Sequence, residues 1–233
     1  MKASVKKPEP VPMTEEQMSQ HLESVDAALM ALVSGKELRE VLALAGEWQF
    51  DVFELTRVTK GKPLQVLGMH LIRHYGCIDK LGLDRHRLAN FLVEIERGMP
   101  FTNPYHNAIH CADVLQSMHV LISRGGMGEI MTEVEILAAL VGAIIHDFEH
   151  MGVNNDLLVK MGHAWAIEYN DKAPNENHHL AAAFKLMMRP ECNFLQSLPK
   201  AEQQVLRKLV LDMVIATDMS AHQEIVDKIN NSQ

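Results

Sequence analysis

The sequence predicts an all-α protein, a compact multi-helix bundle, on three observations. Apolar residues recur with a period near 3.6 over long segments, and period-2 alternation is almost absent. Turn signals separate those segments at Gly61-Lys62-Pro63, Gly98-Met99-Pro100, Gly125-Gly126, Ala173-Pro174 and Arg189-Pro190.

Taken in order, residues 1–13 hold three prolines and three lysines with few large apolar side chains, which reads as a disordered tail. Thr14 followed by Glu15, Glu16 and Gln17 is a helix start close to a capping box, and His21 to Val33 carries apolar residues near helical spacing. An N-terminal helix is therefore expected within 14–40, ahead of a main domain over 41–233. Within that domain, Glu133 to Asp147 is apolar nearly all the way round, the pattern of a central helix packed on every side. Whatever ends that helix is held rigidly.

Composition narrows the function classes. The 233 residues are 47% hydrophobic, enough for one sizeable core. Lys and Arg total 22 against 30 Asp and Glu, and no stretch mixes basic with aromatic residues, so polynucleotide binding is not expected. The longest apolar run, Ile136 to Ile145, falls short of the ~20 residues a membrane-spanning helix needs. No secretory signal pattern opens the chain, and Cys77, Cys111 and Cys192 are odd in number and far apart. Reduced packing thiols and a cytoplasmic location are the expectation. Histidine stands out: 13 in all, six of them from His106 to His163.

His146 and Asp147 close the buried helix, with His150 three residues beyond the Asp. A carboxylate and an imidazole beside so much apolar surface cost several kcal/mol unless paired or bound to a cation. Upstream, His106 and His110 stand four residues apart and would share one face if the segment is helical. Such a pair is also compatible with a solvated or capping role. Neutral imidazole suits zinc, and a carboxylate can join that site or bridge to a harder ion. Glu176, in Asn175 to His179, could accept a hydrogen bond from a metal-bound water, whereas His178 and His179 read as structural.

The stretches YHNAIHCADVLQS (Tyr105 to Ser117), HDFEHMGVNN (His146 to Asn155), YNDKAPNENHH (Tyr169 to His179) and ATDMSAH (Ala216 to His222) resemble, in order and at similar separations, successive motifs of the class I 3′,5′-cyclic nucleotide phosphodiesterases. The resemblance covers roughly Leu42 to the C-terminus, with Trp48 to Phe53 similar to the family's domain entry. It implies hydrolysis of cyclic AMP or cyclic GMP to the 5′-monophosphate, in cyclic-nucleotide signalling. It also implies two divalent ions, Zn²⁺ in a tight site and Mg²⁺ or Mn²⁺ in a second, which activate water and neutralise phosphate oxygens. His110, His146 and Asp147 match zinc ligands, Asp147 also the carboxylate shared with the second ion, and His106 the general acid. His150 and Glu176 match groups around the bridging water. Tyr105 matches a wall of the nucleotide pocket.

The family pattern also includes a further Asp ligand, a purine-binding glutamine and a stacking phenylalanine downstream of Ala216 to His222, and these residues lack them. The expectation is a C-terminally truncated catalytic domain with weaker zinc binding, an open pocket and exposed apolar helix faces. Two other readings are a short non-catalytic isoform that pairs with itself or with full-length copies, and another hydrolase of the His-Asp dyad type.

Overall fold

The computed structural model describes residues 13–33 and 35–231. The expected tail over 1–13 lies, apart from Met13, outside the described residues. Among the described residues thirteen α-helices follow one another: α1 (Glu15–Val33), α2 (Lys36–Leu42), α3 (Val52–Val58), α4 (Pro63–His74), α5 (Cys77–Lys80), α6 (Arg85–Gly98) and α7 (Ala108–Ser123), then α8 (Glu133–Ile145), α9 (Asn155–Lys160), α10 (Ala164–Glu168), α11 (Pro174–Met187), α12 (Lys200–Ile215) and α13 (His222–Asn230). No strand occurs among the described residues, and none of their helices is long and apolar enough to cross a membrane.

The N-terminal start is the reciprocal cap that its residues suggest: Gln17 N–H donates to Thr14 Oγ1 at 3.2 Å, and Thr14 N–H to Gln17 Oε1 at 3.0 Å. The segment 14–40 holds two helices, α1 and most of α2, with Gly35 as the N-cap of the second. α1 lies against α6 and α4, burying Leu22 and Leu29. Asp26, buried on the same helix, is held by a two-pronged pair with Arg85 at 3.0 and 2.6 Å.

At the centre runs α8, as the all-round apolar pattern requires. Thr132 and Glu135 form a full capping box at its start, and every residue from Ile136 to Ile145 is buried. It packs against α12, α7 and α4. Burying a Leu or Ile side chain contributes about 1.5–3 kcal/mol, so Leu140→Ala, at a fully buried position, removes about 2–5 kcal/mol. The helix ends two residues earlier than the sequence suggests, at Ile145. His146 is its C-cap, and Nδ1 of His146 donates to Ala143 O at 2.9 Å, satisfying a terminal carbonyl. All three cysteines are buried and free.

Candidate metal and hydrolytic site

Three segments meet at the C-terminal end of α8. The first is the turn before α7. Asn107 is extended and caps that helix, its Oδ1 accepting from Ile109 N–H at 2.9 Å and His110 N–H at 3.3 Å. His106 therefore precedes the helix, and the expectation that His106 and His110 share a helical face is not met. The cap turns the chain so that both rings instead reach the same carboxylate from different sides.

That carboxylate is Asp147. Its Oδ2 lies 2.9 Å from His106 Nδ1 and 3.5 Å from Nε2 of both His110 and His146. The two Nε2 atoms are 3.3 Å apart. Because His146 Nδ1 donates to Ala143 O, its Nε2 in the neutral ring carries the lone pair. Two imidazole nitrogens and a carboxylate oxygen thus converge within one coordination shell, the donor chemistry of a divalent ion. Among the described residues, the three groups of side chains that could hold a metal all contain Asp147: with His106 and His110, with Cys111 and His146, and with His150 and His179. Burial keeps the Cys111 thiol well above its ordinary pKa, which favours a neutral packing role.

Electrostatics follows from the crowding. Burial pushes Asp147 up, but His146, His106 and His179 outweigh it and hold the carboxyl below its usual range. Burial, then His146, lowers His110. Burial, then His106, takes His150 down to about 4. Neutral imidazoles around an ionised carboxylate are the protonation states that bind metal.

Around this set, Asn103 donates from Nδ2 to His106 O at 3.0 Å and to His150 O at 2.8 Å, locking the first segment to the turn after α8. The His150 ring stacks on His106 at 3.9 Å, and His150 Nδ1 accepts from Gly152 N–H at 2.8 Å. Gly152 has φ of 80°, a conformation that favours glycine, and its Cα faces Asn103 closely. Glu149 also takes a positive φ, 61°, and His178 Nε2 pairs with it at 2.8 Å while stacking on Trp165.

The third segment is α11. Glu176 Oε2 accepts from Asn155 Nδ2 at 2.8 Å, and burial raises the Glu176 carboxyl above its usual range. Glu176 thus faces Asn155 in the lining of the site cavity. His178 meets Glu149 and Trp165. His179 is buried, donates from Nδ1 to Phe148 O at 2.6 Å, and places Nε2 4.0 Å from Asp147 Oδ1. The signal that finds it is the i, i+3 spacing from Glu176, which sets both on one helix face.

His106, His110, His146, Asp147, His150 and Glu176 line a cavity of about 1260 Å³, shared with Asp218 and Thr217. Tyr105 lines it and a neighbouring cavity of about 600 Å³, with its ring 4.4 Å from that of His110.

An all-α bundle whose central helix ends in a His/Asp cluster able to hold a divalent ion presents a candidate metal centre. The family of 3′,5′-cyclic nucleotide phosphodiesterases matches over residues 105–233, more than half of the chain, and the chain belongs to that family. It is 38% identical over 187 residues to a probable 3′,5′-cyclic phosphodiesterase of Caenorhabditis elegans, covering 80% of this chain and 28% of that protein. It is 40% identical over 177 residues to a dual specificity calcium/calmodulin-dependent 3′,5′-cyclic nucleotide phosphodiesterase of Drosophila melanogaster, covering 76% and 21%. The phosphodiesterase domain of the RhoPDE fusion protein from the choanoflagellate Salpingoeca rosetta superposes with a TM-score of 0.75 at 26% identity, over 87% of this chain and 60% of that one. The chain spans about a third or less of the curated relatives' length.

Proposed function

We propose that the chain hydrolyses 3′,5′-cyclic nucleotides, cyclic AMP or cyclic GMP, to nucleoside 5′-monophosphates. The observation that supports this most is the sharing of Asp147 Oδ2 by His106, His110 and His146, within a cavity large enough for a nucleotide.

In this reading His110, His146 and Asp147 hold Zn²⁺, and Asp147 also serves a second ion, Mg²⁺ or Mn²⁺. Divalent ions bound there supply positive charge to the phosphate oxygens and acidify water. His106 is the general acid. Water adds to phosphorus, the P–O3′ bond breaks, and His106 delivers a proton to the departing O3′ from Nε2, the nitrogen turned away from Asp147. Asp147 Oδ2 fixes the ring in place, and proton delivery by a positioned general acid contributes on the order of 10²- to 10⁴-fold in rate. His150 braces His106 from behind, Glu176 with Asn155 orders the solvent side, and Tyr105 forms a wall for the nucleotide.

Residues 41–233 are proposed as part of the catalytic domain, acting in the cytoplasm in cyclic-nucleotide signal transduction. A second reading, a non-catalytic module that pairs with longer copies of itself, is favoured by α13, none of whose residues is buried.

³¹P NMR of cyclic AMP and cyclic GMP with the purified chain, Zn²⁺ and Mg²⁺ tests the first reading. A 5′-monophosphate signal that His106→Ala suppresses supports it. A folded wild type that leaves both substrates intact refutes it, and a mass in solution above one chain then favours the second.

A further inference from the structure

We propose that a second cavity, between α1, α2 and α4 and sharing no residue with the site above, binds a small soluble phosphate ester with an apolar body. Its volume is about 530 Å³, within the usual range for small-molecule sites.

The argument begins with charge. His70, Arg73 and His74 project from one face of α4 at i, i+3 and i+4, and Arg39 of α2 lines the same cavity. Arg39 and Arg73 bring two positive charges to one cavity, which calls for a counter-charge. None is supplied: among the described residues no carboxylate hydrogen-bonds or ion-pairs with Arg39 or Arg73, and no Asp or Glu lines the cavity. Arg73 Nη1 instead points at the thioether sulfur of Met30, 3.3 Å away, a weak acceptor for a guanidinium. In a protein with 30 acidic residues against 22 basic ones, four cationic or donor side chains left without an acid are unexpected.

The neighbourhood agrees. Burial, then His74 and Arg73, lowers His70 below its ordinary range, and no carboxylate opposes them. His119, whose ring meets His74 edge-on at 5.3 Å, is pushed down to about 4 by burial and then by His74 and His70. Arg39 and Arg73 supply the positive charge of this corner, and no carboxylate lines it.

The chemistry of the walls selects the ligand. Two guanidinium forks and two imidazoles match the three oxygens of a phosphate monoester better than one carboxylate. Buried Leu42 and Met69, with half-buried Met30, give the cavity an apolar floor. Met side chains adapt to irregular bodies. The concave shape suits a soluble molecule more than a flat membrane.

The test is a titration of the ¹⁵N-histidine-labelled full chain, in chelator to keep the Asp147 site free of metal, with phenyl phosphate and with inorganic phosphate. The His70 and His74 ring signals are expected to shift and saturate, with phenyl phosphate binding more tightly. Arg39→Gln with Arg73→Gln is expected to weaken binding about tenfold or more, the loss of charge-assisted bonds. Both arginines are exposed, and an unchanged melting temperature checks the fold; Arg39→Glu serves as a second variant. Unmoved His70 and His74 signals at saturating ligand overturn the proposal, as does equal affinity in the double variant. Binding only to vesicles of phosphatidylcholine with phosphatidic acid also overturns it, and assigns the cavity to lipid headgroups.

Discussion

Oδ2 of Asp147 stands 2.9 Å from Nδ1 of His106, the shortest contact in the histidine cluster around that oxygen. In the proposed mechanism one carboxylate orients the proton donor and belongs to the set that would hold metal. The two roles predict different outcomes when the partners are removed separately.

Removing His106 leaves the donors His110, His146 and Asp147 in place. His106→Ala is expected to keep its metal content and to slow turnover on the order of 10²- to 10⁴-fold. Mass-spectrometric metal analysis beside steady-state kinetics checks this. Loss of metal in the variant would make His106 a ligand.

Metal should stabilise the fold, because the converging donors exist only in the folded state. At a hundredfold excess of Zn²⁺ over its dissociation constant, linkage gives about 2.7 kcal/mol. Thermal melts with Zn²⁺ and with chelator are expected to separate for wild type and to coincide for His146→Ala. Equal separation in both would place the ion elsewhere.

Gly98 touches the Phe148 ring so closely that a Cβ would collide with it. Phe148 directly follows Asp147, so the clash bears on the site as well as the core. Gly98→Ala is expected to cost about 1–3 kcal/mol and to weaken metal binding. Adding Phe148→Leu makes room, so the double variant should recover part of the loss in a denaturation cycle. Strictly additive losses would argue against this contact.

Glu96 gives a pH signature away from the metal. Burial pushes its carboxyl up to about 7, against opposing bonds from Gln65 and from Leu64 N–H at 2.8 Å. A folded pKa above the unfolded one means that the stability it supports is complete below about 4.5 and lost as pH rises through 7. The loss reaches about 3 kcal/mol. Glu96→Gln keeps an acceptor for Leu64 and removes the charge, so it should raise the denaturation midpoint at pH 8 far more than at pH 5. An equal change at both would contradict the assignment.

The apolar ring of α8 and the Thr14 cap were legible because each depends on residues close together in the chain. The family resemblance groups His106, His110, His146 and Asp147, but spacing alone does not show how they converge, since His106 and His110 suggest one helix face whereas Asn107 starts the helix between them. His178 and His179 read alike in the sequence, but one residue along a helix turns the side chain by about 100°, which sends His178 to Trp165 and His179 to Asp147. Asn103 carries no sequence signal at all. Its two bonds to the carbonyls of His106 and His150 depend on how two loops meet, which tertiary packing decides.

Zn²⁺ content of wild type and Asp147→Ala after equilibrium dialysis tests the central claim most directly. The account predicts bound metal in the wild type and none above background in Asp147→Ala, with both proteins folded. Equal metal in the two would contradict it, because among the described residues every group of side chains that could hold a metal includes that carboxylate.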